Sequence, residues 1–290
     1  MGLFAEETAE TTRRLVVTAD DFGADVAVNE AVEIAHRQGI LTAASLMVGA
    51  PGTADAVARA RALPSLRVGL HLVLVEGRPV LPPNEVSQLV DGRGCFRDNM
   101  AGAGATMFFS RRARRQLAAE IAAQFEAFAA TGLVLDHVNA HKHFHLHPTI
   151  AGLILRIGAR HGMRAARIPL EPHGVLARLE PGHAPSPQPL VTFVAKLSRR
   201  RFARAGIMVP DQVFGLAWSG AMTAARLQGL IAALPPGLSE IYLHPATSSV
   251  FEGAAPGYGY ADELSALTNP EVIAAAAGPG FRLGGFRDLC

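Results

Sequence analysis

The sequence is poor in cysteine and has no long apolar run. Cys95 and Cys290 are the only cysteines in 290 residues and do not form a CxxC pair, so they make a poor disulfide framework and favour a reducing compartment. The first 14 residues are acidic and lack the apolar core of a secretory signal. No uncharged apolar run approaches the ~20 residues needed to span a bilayer. These absences predict a cytoplasmic protein and leave peripheral membrane contact open.

Charge is also scarce. Charged residues make up 18% of the chain, and 27 basic against 25 acidic side chains leave a net charge of +2, which gives no sign of nucleic-acid binding by the whole protein. Hydrophobic residues reach 49%, enough for a sizeable core and too many for a disordered chain. The length fits one α/β barrel, and no linker or internal repeat is evident, so residues 1–290 are expected to form a single domain.

Short apolar segments alternate with helical patterns about seven times along the chain. This alternation predicts parallel strands joined by crossover helices, either closed as a barrel or left as an open sheet. Between 75 and 110 the pattern weakens and Gly, Pro and Asn recur, which predicts a lid or substrate loop. Strands are predicted at 15–18, 40–48, 66–74, 133–139, 164–168, 212–215 and 240–244.

Polar side chains follow the predicted strands at the points where the strands end. Because barrels carry their chemistry at the carboxyl ends of the strands, these side chains are expected to meet. The sequence therefore predicts one site assembled from distant segments. The residues in these positions are Asp20, Asp21, His71, His141, Arg167 and His244.

Asp20 and Asp21 form an adjacent carboxylate pair after the first predicted strand. Such a pair can be a solvated turn or a helix N-cap, because Asp is favoured at caps. The functional alternative divides the labour: one carboxylate binds a metal and the other handles protons, as neighbouring carboxylates in different environments can do. His71 lies on the third predicted strand, where a single histidine is more often a packed residue than a ligand.

Four of the 11 histidines, His141, His143, His145 and His147, lie within seven residues. If this segment is extended, all four point to one face, which would be costly in a core without a function. An accidental histidine-rich loop is the alternative. Together with the carboxylates and His71, a site of one Asp and two His ligands is chemically natural, because it leaves open positions for water and substrate.

His244 and Arg167 are the remaining candidates. A histidine that titrates near neutrality suits a general acid, which is the role expected of His244. Arg167 is expected to pair with a site carboxylate and to lower the pKa of that carboxyl group, unless it is an ordinary surface arginine. His143 and His145 are expected close to the metal, as substrate contacts or as partners of the ligands.

Several of these segments resemble the YdjC-like family of carbohydrate deacetylases. The resemblance rests on TADDFG at 18–23, VGLHL at 68–72, the His141-x-His143-x-His145 run and LHP at 243–245, and it covers most of the chain. Each motif is weak alone, but their order and separations together are specific. The segment HLVLVEGRPVLPP at 71–83 is further similar to the hopanoid-biosynthesis-associated branch, HpnK.

The resemblance implies a distorted, incomplete TIM-like (β/α) barrel of the polysaccharide-deacetylase kind and one divalent metal ion. By position, Asp21, His71 and His141 are then the metal ligands, Asp20 the general base and His244 the general acid. Two imidazoles and one carboxylate favour Zn²⁺ on ligand softness, whereas members of the family are often described with Mg²⁺.

Two positions depart from the family pattern. Lys142 stands where members often have His or Gln, which should leave the metal intact and alter the substrate rim. Ala246 follows His244 and Pro245 where members often have glycine, so a tight turn is in doubt there.

The implied activity is removal of the N-acetyl group from an acetylated amino sugar, and the HpnK similarity points to the N-acetylglucosaminyl head group of a hopanoid lipid. Soluble chitin oligosaccharides are the alternative carbohydrate substrates. A metal-dependent amidase or phosphoesterase on a non-sugar substrate and a non-catalytic sugar or lipid receptor also stay open. The basic helix expected at 191–205 is either a barrel helix with a solvated face or a contact with anionic lipid head groups, beside apolar residues of 94–109.

Overall fold

The computed structural model describes residues 13–182 and 189–289. The N-terminal residues 1–12, residues 183–188 of the proline-rich loop and Cys290 lie outside the described residues. Within the described part of the chain there are seven strands: β1 (Arg13–Phe22), β2 (Ala43–Leu46), β3 (Arg67–Leu72), β4 (Val138–Ala140), β5 (Gln212–Phe214), β6 (Gly237–Leu243) and β7 (Phe281–Leu283). They form one parallel sheet in the order β4-β3-β2-β1-β6-β5, with β7 paired to the start of β1.

Ten helices connect and flank these strands in the described residues. None of them is long and apolar enough to cross a membrane. They are α1 (Val26–Gln38), α2 (Thr53–Arg61), α3 (Met100–Phe109), α4 (Arg111–Ala130), α5 (Pro148–Gly158), α6 (His173–Leu179), α7 (Pro189–Arg204), α8 (Ala224–Ala233), α9 (Tyr260–Leu267) and α10 (Pro270–Ala276), with short 3-10 turns at His141–Leu146, Ala159–His161 and Phe286–Asp288.

Strand β1 lies at the centre of the sheet. It pairs with β6 along residues 13–19, with β7 at its start and with β2 at its end. Its residues from 15 to 20 are buried, because a parallel sheet is covered on both faces. This is why the segment reads as a continuous apolar run and not as an alternating pattern. Asp20 and Asp21 therefore emerge where the central strand ends.

The two edges of the sheet approach each other. Ala166 bridges Val138 of β4, and the backbone amide of Val213 in β5 donates to the carbonyl of Leu170 at 3.0 Å. Residues 164–170 thus link the β4 edge to the β5 edge without forming a regular strand. The result is the distorted, incomplete TIM-like barrel that the family resemblance implied.

The prediction of β4 from the sequence was wrong in its length and its start. A strand was expected over 133–139, but β4 spans only Val138–Ala140. By contrast, the helix expected over 111–130 has those bounds, because Ser110 caps it: the Ser110 side-chain oxygen accepts from the Ala113 amide at 3.2 Å.

The segment 75–110 contains a helix that periodicity did not reveal. Helix α3 begins after Asn99, whose side chain accepts from the Gly102 amide at 3.1 Å. Gly102 and Gly104 weaken the helical signal, since glycine costs about 1 kcal/mol in a helix interior relative to alanine. The cap and the packing of the helix on α4 compensate for that cost.

The rest of this segment is anchored to the core. Phe96 and Met107 are buried, whereas Phe108 and Phe109 remain exposed. The fully buried Glu120 of α4 accepts hydrogen bonds from the backbone amides of residues 80 and 81, at 2.9 and 3.0 Å. A buried carboxylate therefore fixes the chain that leaves β3.

Candidate metal centre and active site

The structure brings the carboxyl ends of four strands together at one end of the sheet. β1 contributes the adjacent aspartates, β3 a histidine, and the segments after β4 and β6 contribute further histidines. The 3-10 turn that follows β4 is called the histidine turn below (His141–Leu146). The sequence-predicted residues found here are Asp20, Asp21, His71, His141, His143, His145, Arg167 and His244.

A β-bulge gives the two aspartates different positions. Adjacent side chains on a regular strand point to opposite faces, so one of the pair would normally leave the site. The register of β1 against β2 shifts between Ala19 and Phe22, and Asp21 has a left-handed φ of 61°. Such a bulge redirects a side chain at the end of a strand. Asp20 consequently stays buried, while the Asp21 carboxylate lies over the sheet end with 20% of its side chain exposed.

Asp21, His71 and His141 form a group whose ligand atoms all lie within 4.8 Å of one another. Asp21 Oδ1 is 3.2 Å from His71 Nε2 and 3.2 Å from His141 Nδ1. The two imidazole rings meet edge to face with centroids 5.6 Å apart. One carboxylate oxygen and two imidazole nitrogens suit a divalent transition metal and leave positions for other ligands.

The hydrogen bonds of His71 support a cation at this point. Asn139 Nδ2 donates to Asp20 and Ser45, so Asn139 Oδ1 is the acceptor for His71 Nδ1–H at 2.7 Å. This network leaves the Nε2 atom of His71 as the ring nitrogen that faces the site, and it is buried without a hydrogen-bond partner. It lies 3.2 Å from Asp21 Oδ1, so the two atoms are placed to share a bound cation. The residues present therefore fit a metal ion.

Charges within the group reinforce one another. Burial alone would raise the pKa of Asp21, but His141 and His71 hold it well below its usual range. Burial would likewise lower the pKa of His141, and the Asp21 carboxylate raises it instead. His141 and Asp21 thus stabilise each other's charged forms, and a metal ion would bind His141 through a deprotonated ring nitrogen.

A second buried cluster lies beside this group. Arg167 Nη1 donates to Asp20 Oδ2 at 2.5 Å, and Arg167 Nη2 donates to Asp20 Oδ1 at 2.9 Å and to Glu240 Oε1 at 2.8 Å. The guanidinium lies over the Tyr242 ring, 4.3 Å from its centroid. The expected pairing of Arg167 with a site carboxylate is present, and it is fully buried.

The pKa of Asp20 is set by this cluster. Burial opposes ionisation, but the charge and hydrogen bonds of Arg167 hold the pKa of Asp20 well below its usual range. Burial likewise opposes the charge of Arg167, and Asp20 and Glu240 hold its pKa above the ordinary value. Asp20 is therefore a carboxylate at neutral pH.

Four partners of these groups were missed in the sequence. Ser45 Oγ and Asn139 Nδ2 donate to Asp20 Oδ1 at 2.7 and 3.1 Å. Glu240 and Tyr242 lie on β6, one residue apart, and both are buried. Only Glu240 carried a usable signal, because an acidic residue inside an apolar strand needs a partner.

His143 and His145 follow His141 in the histidine turn, and His143 is half-buried whereas His145 is buried. His143 Nε2 is hydrogen-bonded to the Tyr242 hydroxyl at 2.8 Å, and burial followed by Arg167 lowers its pKa well below the usual range. Burial and the charge of Arg167 lower the pKa of His145 to about 3, against the smaller opposing effect of a backbone contact with Arg167. Both histidines are therefore neutral at physiological pH.

The four clustered histidines do not share a face. The histidine turn is not extended, because Lys142 and His143 adopt left-handed φ angles of 51° and 54°. His141 consequently faces Asp21, while His147 packs near the Phe108 ring, with centroids 6.2 Å apart. Left-handed conformations cost energy in non-glycine residues and cluster at functional sites.

Lys142 connects the histidine turn to the segment after β3. Its ammonium forms an ion pair with Glu76, which also has a left-handed φ, of 45°. The departure from the family pattern at Lys142 is therefore a rim contact and not a change in the ligand group.

His244 follows β6 and is half-buried. Its ring lies edge-on to Tyr242 and Tyr258, with centroids 5.7 and 5.3 Å away, and its amide donates to the buried Glu263 at 2.5 Å. Its Nδ1 atom is buried without a hydrogen-bond partner in the described structure. It lies close enough to Asp20 to help lower the pKa of that carboxyl group.

Comparisons with solved structures support the fold. The chain aligns with a proposed cellobiose-phosphate cleavage protein from Enterococcus faecalis V583 with a TM-score of 0.75 and 22% identity, over 96% of this chain and 99% of that one. At this identity the likeness concerns the fold alone.

Comparisons of sequence give the family. A carbohydrate deacetylase from Geobacillus stearothermophilus is 29% identical over 283 residues, 96% of this chain and 98% of the relative. One from Brevibacillus brevis is 40% identical over 147 residues, which cover 50% of this chain and only 55% of that relative. The YdjC-like protein family matches residues 14–277. With nearly the whole described chain inside that match, this protein belongs to the YdjC-like family.

Proposed function

We propose that this chain is a metal-dependent hydrolase that removes the N-acetyl group from an acetylated amino sugar. The observation that carries the proposal is the Asp21–His71–His141 group beside the Asp20–Arg167 ion pair. It combines a set of metal ligands with an ionised, hydrogen-bonded carboxylate. The carbohydrate deacetylase that matches over nearly its whole length supports the substrate class.

Asp21, His71 and His141 would hold the divalent ion, and their two imidazole nitrogens favour Zn²⁺ over Mg²⁺. When bound, such an ion supplies Lewis-acid chemistry that polarises a carbonyl oxygen and lowers the pKa of water. Asn139 keeps His71 in the tautomer that presents Nε2 to the site.

Asp20 would act as the general base. Its Oδ1 atom accepts from Ser45, Asn139 and Arg167, whereas Oδ2 accepts only from Arg167 Nη1 among the described residues. Oδ2 therefore keeps a lone pair for the proton of the attacking water. Arg167 would hold the Asp20 carboxylate in place. Glu240, which accepts a hydrogen bond from the same guanidinium, would offset part of the positive charge of Arg167.

His244 would act as the general acid that protonates the departing amine. The rings of Tyr242 and Tyr258 limit its rotation, and Glu263 fixes its backbone. His143, which is half-buried, and His145, which is buried, are both neutral and would contribute substrate contacts or support the base cluster. The products would be acetate and a free amino sugar.

The more specific substrate we propose is the N-acetylglucosaminyl head group of a hopanoid lipid. Its support is the similarity of residues 71–83 to the HpnK branch. Soluble chitin oligosaccharides are the alternative. The cytoplasmic location expected from the scarce cysteines is part of the same proposal.

A metal-dependent phosphoesterase is less well supported. Two-metal hydrolases need additional acidic ligands. Over residues 13–182 and 189–289, one three-residue ligand group is found, and it contains a single carboxylate.

The test combines metal analysis with acetate release. The purified protein is loaded with Zn²⁺ or Mg²⁺ and assayed on N-acetylglucosaminyl lipid, on N,N′-diacetylchitobiose and on an amide without a sugar. We expect acetate only from the sugar substrates, and none after chelation. Release from the sugar-free amide alone, or a rate that chelation leaves unchanged, would defeat the proposal.

A further inference from the structure

Helix α7 leaves a row of large apolar side chains uncovered. Leu190, Phe193 and Leu197 recur every three or four residues, so they share one face of the helix, and their exposed fractions are 73%, 65% and 57%. The opposite face packs on the fold through Ala195 and Phe202. The first two turns of α7 therefore carry their largest apolar groups outward.

A row of free cations runs beside this apolar row. Lys196, Arg200 and Arg204 are spaced by four residues and are exposed, and no partner is found for them in the described structure. Arg199 and Arg201 of the same helix are engaged: Arg199 pairs with an aspartate at 2.6 Å, and Arg201 donates to a backbone carbonyl of α5 at 3.0 Å. Three of the five cations in residues 191–205 thus remain available.

A second patch of the same composition lies at the junction of α3 and α4. Phe108 and Phe109 end α3 with exposed fractions of 48% and 79%. The first turns of α4 then present four exposed arginines without partners in the described residues, Arg111, Arg112, Arg114 and Arg115.

Both patches border the segment that supplies the candidate site. The Phe108 ring lies next to His147 at the end of the histidine turn, and α7 contacts the histidine turn itself. Ten large apolar side chains are exposed among the described residues, and five of them belong to these two patches. Exposed apolar groups are usually scattered singly, so this grouping indicates an interaction surface.

We propose that α7 and the α3–α4 junction bind the surface of a membrane that contains anionic lipids. The apolar side chains would enter the boundary between head groups and acyl chains, and the cations would meet lipid phosphates. A second copy of this chain fits less well, because a symmetric pairing of this surface would bring like charges together. Such binding would hold the candidate site near sugars on the membrane, a consequence that rests on the proposed function.

The test is sedimentation of the full-length protein with vesicles at low and high salt. Vesicles of equal parts phosphatidylcholine and phosphatidylglycerol are compared with phosphatidylcholine alone. The wild type should bind the anionic vesicles at low salt and lose much of that binding at high salt. Replacing the three cations should lower the partition coefficient about a hundredfold, at roughly fivefold per charge. This variant is Lys196→Gln, Arg200→Gln and Arg204→Gln.

Two further variants make the result specific. An apolar-row variant should bind less than the wild type at both salt concentrations, because the apolar contacts that it lacks are not screened by salt. A control removes three exposed arginines near the opposite end of the sheet and should bind like the wild type. The apolar-row variant is Leu190→Ser, Phe193→Ser and Leu197→Ser, and the control is Arg160→Gln, Arg164→Gln and Arg282→Gln.

The surface and the activity can fail separately. Thermal unfolding and acetate release from soluble diacetylchitobiose are measured on every variant, and both should match the wild type. The proposed surface would be overturned if the wild type did not bind vesicles, or if the control variant lost as much binding as the cation variant. It would also be overturned if light scattering showed that the wild type is a dimer and the apolar-row variant a monomer. Vesicle binding without acetate release would leave the surface standing and count against the deacetylase.

Discussion

Asn139 joins the two halves of the candidate site at the scale of single residues. Its side-chain oxygen accepts from His71, and its side-chain nitrogen donates to Asp20 and Ser45. One neutral amide therefore fixes both the tautomer of a metal ligand and the position of the proposed base. Partners of this kind orient the ligands, and their loss typically lowers metal affinity or activity 10- to 100-fold.

Asn139→Ala should weaken metal binding about 10- to 100-fold, because His71 loses the acceptor that orients its ring. The affinity is measured by competition with a chelating dye. Ser45→Ala is the matched control, since it removes a hydrogen bond to Asp20 but none to a ligand. Equal affinities of Asn139→Ala and wild type would show that His71 does not depend on Asn139.

His71→Ala and Asp20→Asn should separate metal binding from proton transfer. His71→Ala should lose metal and acetate release together. Asp20→Asn should retain metal and lose about 10²-fold or more in kcat, as removal of a general base does. His147→Ala, outside both clusters, is the control and should keep both properties. If Asp20→Asn turns over like the wild type, Asp20 is not the base.

His145 should make the fold sensitive to acid. The pKa of His145 is about 3 in the folded chain and about 6.5 in the unfolded chain. Between these two pH values the unfolded chain therefore binds a proton at His145 that the folded chain does not bind. The stability due to neutral His145 is present above pH 6.5 and is lost as the pH falls towards 3, with a slope of at most about 1.4 kcal/mol per pH unit.

Urea unfolding between pH 7 and pH 4, with chelator present, measures this slope. His145→Gln should flatten the dependence, because a neutral amide does not titrate. His173→Gln serves as the control for losing a histidine elsewhere and should leave the slope as it is. A His145→Gln slope equal to that of the wild type would refute the assignment.

The residues foreseeable from sequence were those in charged or histidine-rich motifs. Asp20, Asp21, His71 and His141 follow apolar strands, and their positions alone predicted that they would meet. Ser45 and Asn139 are small neutral polar residues on strands, and no periodic pattern distinguishes them from turn residues. Their role appears only when the four strands β1 to β4 are adjacent.

At the scale of elements, the long periodic segments were predictable and the irregular ones were not. Helix α4 and strand β1 have patterns set by burial on one or both faces. The bulge at Asp21 and the left-handed residues of the histidine turn oppose local preference, so tertiary contacts must hold them. Sequence periodicity could only suggest an extended histidine segment there.

The side chain of Glu120 in α4 holds the segment after β3 against that helix. Glu120→Gln should lower the free energy of unfolding by about 1–3 kcal/mol. The backbone amides of residues 80 and 81 each donate to one oxygen of the Glu120 carboxylate, and in the glutamine variant one of these amides would face the side-chain NH₂ group instead of an oxygen. Urea unfolding measures the loss, and limited proteolysis should show faster cleavage within 75–99. Glu126→Gln, exposed on the same helix, should change neither measurement.

At the scale of the whole molecule, metal binding should appear as stability. A metal that binds the folded chain at about 100 times its Kd raises the free energy of unfolding by about 2.7 kcal/mol. We expect this gain with Zn²⁺ and a smaller one with Mg²⁺ at the same concentration, measured by urea unfolding. His71→Ala should abolish the gain. A gain that persists in His71→Ala would place the metal elsewhere.

The central position of β1 has a consequence for the protein during its synthesis. Arg13 of β1 pairs with Gly237 of β6 and with Phe281 of β7. Strand β1, which carries both aspartates, is therefore synthesised more than 200 residues before these two partner strands. Until then its apolar edge is unpaired, which is the kind of surface that chaperones shield. A translation stall before β6 would therefore release a chain destined for degradation, even though all three candidate metal ligands had already been made.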